Sequence, residues 1–291
     1  MKVRQDIEIL RVLSAFGIVW FHSGAPGRAF AYSGLVIFIV LSVYLSQHGN
    51  QHISTRFRIR ARRLLVPWSI WFTFYGLIRL LTQKPLIPLE NGAIAGILSG
   101  PSSHLWYLPF IFALLLIIDS VRVKLSPSIL AWTGYALAIL AFVSWGRWSV
   151  PENPSEYPWM QYGHAMTGIF IGIFMMHYGS LPRWVAPYLL GTLLIASASA
   201  ISIKGYGIPY TVGICLSAIV LLAPERVITF NVQPLSRCTL GIYLLHPLLL
   251  MVLGKFAIAS PAEKAIVAFA GSALLIWLFK KYFAGLANYV V

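Results

Sequence analysis

Arg11 and His22 lie eleven residues apart in a largely apolar run. At 100° per residue that separation is about 1100°, some 20° from three whole turns. Both side chains therefore share one helix face, ~16 Å apart along its axis. In a membrane helix such a pair must look into protein or water rather than lipid. A histidine can take a proton from a hydroxyl near neutral pH. A snorkelling arginine beside an ordinary core histidine would give the same spacing without any chemistry.

Three further constellations stand out. Arg56-Phe57-Arg58-Ile59-Arg60-Ala61-Arg62-Arg63 holds five arginines in eight residues. Arginine binds phosphate through a planar fork and stays charged; a run that only fixes topology or touches anionic lipid is the plainer reading. His104-Leu105-Trp106-Tyr107-Leu108-Pro109 opens another apolar run, where Trp106 and Tyr107 would ordinarily be membrane-belt residues. Tyr243 and His246 are three residues apart, so they share a helix face. Pro247 removes an amide donor and leaves the Tyr243 carbonyl unpaired, as at a polar, protein-lined site. The plainer alternative is an ordinary kinked helix. No HExxH, CxxC, carboxylate cluster, Gly-rich phosphate loop or GxSxG elbow occurs.

Composition says what must hold these groups. Of 291 residues, 58% are hydrophobic and 10% charged, with a mean hydropathy of +0.77. A soluble domain carries about 25% charged residues, so a soluble enzyme and a disordered chain are both excluded. The expected fold is all-α, a polytopic membrane bundle of about ten transmembrane helices near 9–25, 30–47, 64–82, 104–119, 128–146, 162–179, 186–203, 206–223, 238–254 and 264–284. The least secure division is Lys204–Gly205 between the seventh and eighth. A net charge of +14 fits basic cytoplasmic loops rather than nucleic acid. With both termini cytoplasmic, fourteen Lys and Arg fall inside and six outside. Glu152 and Glu156 then fall in the longest outer loop. Asp6, Glu8 and Arg11 interrupt any signal-peptide core, so the first run is expected to be a retained helix. Cys215 and Cys238 are expected to be buried free thiols. Residues 1–291 read as a single integral membrane domain with no fused soluble domain.

These motifs together resemble the acyltransferase 3 family of integral membrane acyltransferases. Arg11 and His22, after Asp6-Ile7-Glu8-Ile9-Leu10, match its R-x10-H motif. Phe38-Ile39-Val40-Leu41-Ser42 is similar to its FFxxSG segment, Arg62-Arg63-Leu64-Leu65-Val66-Pro67-Trp68 to its basic stretch, His104-Leu105-Trp106-Tyr107-Leu108 to its (H)LWFL, and Gly241-Ile242-Tyr243-Leu244-Leu245-His246-Pro247 to its xxYLxHxP ending. The one departure, Val43 where the family has Gly, puts close helix packing there in question. The resemblance implies an acyltransferase of groups other than aminoacyl, moving acetyl from acetyl-CoA, a co-substrate, to a sugar hydroxyl without a metal. It implies a glycan or lipid-linked saccharide acceptor, as in exopolysaccharide biosynthesis, and a multi-pass protein of a bacterial inner membrane. Homo-oligomers or glycan-assembly machinery are its implied partners.

The chemistry of the residues agrees. A hydroxyl attacking a thioester needs a general base, and His22 suits the role; His22 carrying the acetyl covalently is the alternative. Arg11 would fix the donor or orient a carboxylate. Arg60, Arg62 and Arg63 would hold the phosphates of CoA at the cytoplasmic face. His104, Trp106, Tyr107, Tyr243 and His246 would line the acceptor's tunnel. Two other functions share this composition: a glycan or organic-acid transporter, and a family member that binds without turnover. Succinyl-CoA is an alternative donor. Arg11→Lys replaces a planar fork with a point charge and is expected to lower turnover; wild-type rates from that variant would exclude a bidentate role.

Overall fold

The computed structural model describes residues 4–46, 53–144, 158–202, 206–224, 228–255 and 260–291. The expected outer-loop acids Glu152 and Glu156, and the Lys204–Gly205 division, lie outside these residues. Regular structure among them is entirely helical. In chain order it runs α1 (Gln5–Ser23), α2 (Arg28–Ala31), α3 (Ser33–Leu45), α4 (Ile53–Arg60), a π-helical turn (Ala61–Leu65), α5 (Val66–Leu81), α6 (Ala93–Ser99), α7 (Tyr107–Arg122) and α8 (Pro127–Val143). It continues with α9 (Trp159–Met176), α10 (Val185–Ser199), α11 (Gly207–Leu221), α12 (Gln233–Ser236), α13 (Thr239–Gly254), α14 (Pro261–Tyr282) and α15 (Ala284–Val290).

The boundaries carry ordinary capping chemistry. Gly24, at φ 75°, ends α1 in the left-handed conformation that glycine adopts without penalty. The Ser126 side chain accepts the Ile129 amide at the start of α8, with Pro127 behind it. Ser260 and Glu263 close a reciprocal capping box on α14. Each of the ten expected spans falls on a helix. Among the described residues, three helices are long and apolar enough to cross a membrane: Arg28–Leu45, Ser54–Leu81 and Pro261–Tyr282. Four more apolar helices, Pro127–Val143, Val185–Ser199, Gly207–Leu221 and Thr239–Gly254, are 17 residues or fewer. At 1.5 Å per residue these reach about 25 Å or less, short of the ~30 Å of hydrocarbon. His104, expected to open a span, lies in the turn before α7. Cys238 is buried and Cys215 half-buried, both as free thiols.

α3 is apolar all round and is buried on most sides. Its Leu35, Ile39 and Val43 belong to a core shared with α1, α5, α7, α13 and α14. Its Val36, Ile37, Val40 and Leu41 belong to a second core with α8, α10 and α11. Close approach depends on small residues, as is usual between membrane helices. A methyl on Gly34 would lie 2.4 Å from the Ser14 carbonyl oxygen, so α1 and α3 touch backbone to side. Val43 packs closely in spite of its size, because the small residue is on the facing helix. A methyl on Gly172 of α9 would meet Val43 Cβ at 2.7 Å, and one on Gly168 would meet Ile39 at 3.0 Å. Two β-branched side chains one turn apart on α3 thus seat against two glycines one turn apart on α9. Gly172→Ala is expected to destabilise the protein by ~1–3 kcal/mol through overpacking, and Val43→Ala added to it to restore part of the loss. Thermal unfolding in detergent checks this; no shift for Gly172→Ala would contradict the packing.

Candidate active site

α1, α3, the α4–π–α5 segment, α7 and α13 surround a cavity of about 580 Å³. Arg11, Arg56, Arg60 and Arg63 line it, together with Ser42, Tyr107 and Tyr243 and an apolar wall. On α3 the lining runs from Ser46 to Leu35, eleven residues or ~16 Å along the helix axis. Two carboxylates organise the arginines. Glu8 Oε2 lies 3.3 Å from Arg11 and also accepts the Ser236 hydroxyl at the end of α12. Asp119 on α7, fully buried, accepts Arg60 at 2.6 Å and Arg56 at 3.2 Å. Arg60 donates as well to the Leu115 carbonyl at 2.8 Å. Arg63 has no ion-pair partner among the described residues. Arg63, three residues after Arg60, stays on the cavity, whereas Arg62, two residues after it, turns away and lies 4.7 Å over the Tyr289 ring.

Beyond the deep end of this cavity lies a layer of three histidines. On α1 the lining reaches Ile18, and His22 is one turn further. On α13 it reaches Tyr243, and His246 is three residues further. His104 is three residues before the lining Tyr107. The rings meet: His22 and His246 have centroids 5.2 Å apart, and His104 and His246 5.7 Å. His104 and His246 are buried, while His22, in the last turn of α1, is exposed. The layer is thus open at His22 and closed behind it. Arg11 lines the cavity to which α13 contributes Thr239, Leu240 and Tyr243, and His22 packs against His246 of the same helix.

Local bonds orient these rings. His246 Nδ1 is 3.2 Å from the Ile242 carbonyl. A carbonyl only accepts, so Nδ1 carries the proton and Nε2 presents its lone pair. Pro247 sits next to this turn, inside α13, where its missing amide leaves carbonyls of the preceding turn without a helical donor. The Tyr243 hydroxyl donates to the His104 carbonyl, the Tyr75 hydroxyl donates to the Leu244 carbonyl at 2.8 Å, and His104 Nδ1 lies 2.9 Å from Ser102 Oγ. The Nε2 atoms of His104 and His246 are buried without a hydrogen-bond partner among the described residues. Ser42 Oγ and the Tyr107 hydroxyl are 3.0 Å apart on the cavity wall. One donates to the other, so one O–H of the pair remains to face the cavity. Trp106 packs away from it, against Phe110 and Tyr162.

A family model described as an acyltransferase domain matches residues 4–281. The chain belongs to the acyltransferase 3 family. No curated protein and no solved structure matches it. Membership and the apolar helices make it a membrane acyltransferase, and the family match spans both the arginine cavity and the histidine layer. Two residues of this site escape the sequence reading. Asp119 is an acid inside an apolar run, and that alone marks an intramembrane functional candidate. Ser42 gains meaning only through Tyr107, 65 residues away. No group of three His, Cys, Asp or Glu suited to a metal ion occurs among the described residues.

Tyr243→Phe removes the donor to the His104 carbonyl and frees the loop that carries that ring. About tenfold lower turnover is expected, the equivalent of one lost hydrogen bond. Steady-state rates of the purified variant check this, and an unchanged rate would show that the loop is held by other contacts.

Proposed function

We propose that the protein transfers acetyl from cytoplasmic acetyl-CoA to a hydroxyl of a polysaccharide or lipid-linked sugar. One observation carries the reading: a cavity rich in guanidinium groups leads, over about the length of a pantetheine arm, to a histidine layer exposed at its far side. CoA brings phosphates at one end and a thioester at the other. Arg11, Arg56, Arg60 and Arg63 suit the phosphates, because a guanidinium gives two parallel hydrogen bonds to a phosphate. The apolar wall of Leu35, Phe38, Ile111 and Leu115 suits the arm. The thioester then reaches Tyr107 and Tyr243, below the histidines.

The exposed His22 meets the acceptor from the other side. Its imidazole takes the proton as the acceptor oxygen attacks the thioester carbonyl. The developing oxyanion is within reach of the free O–H of the Ser42–Tyr107 pair, a fixed donor in a dry cavity. The carbon–sulfur bond then breaks, and the thiolate takes the proton back from the His22 imidazolium. His246 packs on His22, with ring centroids 5.2 Å apart, and helps to hold its ring in place. The fourteen-to-six charge split supports placing the arginine end at the cytoplasmic face of a bacterial inner membrane.

His22→Ala is expected to abolish acceptor-dependent CoA release, with acetyl-CoA binding retained. Mass spectrometry of surface glycans, with and without the protein, should show loss of one acetyl per modified sugar. Normal release from His22→Ala would remove His22 as the base. Glycans unchanged by removal of the protein, with solute movement lost instead, would favour a transporter.

A further inference from the structure

Among the described residues, Asp119 is the one fully buried carboxylate bound to arginines that line the cavity. Its Oδ1 accepts Arg56 Nη1 at 3.2 Å and Arg60 Nη2 at 3.3 Å, and its Oδ2 accepts Arg60 Nη1 at 2.6 Å. The Leu115 carbonyl, one turn earlier on the same helix, accepts Arg60 Nη1 at 2.8 Å. α7 therefore grips one edge of the Arg60 guanidinium with three hydrogen bonds, and a guanidinium has five N–H donors. The remaining edge is left for the cavity. The grip crosses between two elements that are far apart in sequence, at the point where α4 passes into the π-helical turn.

Resting on the reading of CoA as donor, we propose that Asp119 is a positioning residue that selects for the nucleotide part of the donor. It holds Arg56 and Arg60 in the one orientation that meets the donor's phosphates, and it plays no part at the thioester. An arginine side chain loses about 2 kcal/mol of rotamer freedom when it is fixed. A carboxylate that fixes it before the donor arrives removes that cost from binding. The sign of the effect separates this role from simple charge balance. Removing one negative charge beside the cavity makes it more attractive to an anion. A mere counter-ion would thus weaken donor binding, and its loss would tighten it. A positioning residue does the reverse.

The test uses the full-length protein in detergent or liposomes and two donors, acetyl-CoA and S-acetylpantetheine, which lacks the phosphates. For Asp119→Asn the KM for acetyl-CoA is expected to rise about tenfold, with kcat within about twofold and the KM for S-acetylpantetheine unchanged. Asp119→Glu keeps the charge one methylene further out and should fall between; it also serves if Asp119→Asn does not fold. A lower KM for acetyl-CoA in Asp119→Asn would reduce the residue to a counter-ion and overturn the proposal. An equal change for both donors would make it a scaffold residue and overturn it too. Titration of CoA into the wild-type protein reads the donor assignment separately. No CoA binding would remove that assignment and the proposal with it, whereas CoA binding equal in wild type and Asp119→Asn would overturn the proposal alone.

Discussion

Asp119 holds two guanidinium groups inside a bundle whose interior is mostly apolar. A charge in such a medium has no water to solvate it, and each one must find a partner within the protein. That constraint shapes the site. Glu8 gathers Arg11 and the end of α12; Asp119 gathers Arg56 and Arg60. Because the pairs sit on α1, the α4–π segment and α7, satisfying the charges also brings those elements around one cavity. The same ion pairs that tie the helices together thus leave a wall of guanidinium edges facing inward.

The histidine layer obeys the same constraint with neutral groups. His104 and His246 are buried, and backbone carbonyls and hydroxyls account for one ring nitrogen of each. The Pro247 break in α13 opens the helix ladder at the turn where His246 folds back to Ile242. Tyr243 and Tyr75 donate to carbonyls on neighbouring segments, one to the loop before α7 and one to α13. The result is a layer in which rotation of any one ring must disturb the others. Of the three, His22 alone retains accessible surface.

Much of this was legible in the sequence, for reasons of periodicity. The Arg11–His22 register follows from 3.6 residues per turn; Arg11 lines the cavity that α13 also lines, and His22 packs on His246 of α13. The helices fall where the apolar runs fall. What local spacing does not contain is convergence. Asp119 meets Arg60 across 59 residues, and its neighbours in sequence mark only an apolar run. Arg62 and Arg63 are adjacent in the same basic run, yet Arg62 lies over Tyr289 while Arg63 lines the cavity. Val43 looked like a packing fault until Gly172 supplied the missing space from the opposite helix. Length and composition single out three of the described helices as spans, so the number of crossings is not fixed by helix length alone.

The central claim is that the arginine-lined cavity admits the donor as far as the Tyr107–Tyr243 wall. Ser42 lies on that wall and in contact with Tyr107. In a chain whose Cys215 and Cys238 are replaced by serine, Ser42→Cys places one thiol at the deep end. The account predicts that saturating CoA protects this thiol from a small maleimide, while pantetheine-free adenosine diphosphate does not. Equal labelling rates with and without CoA would contradict it.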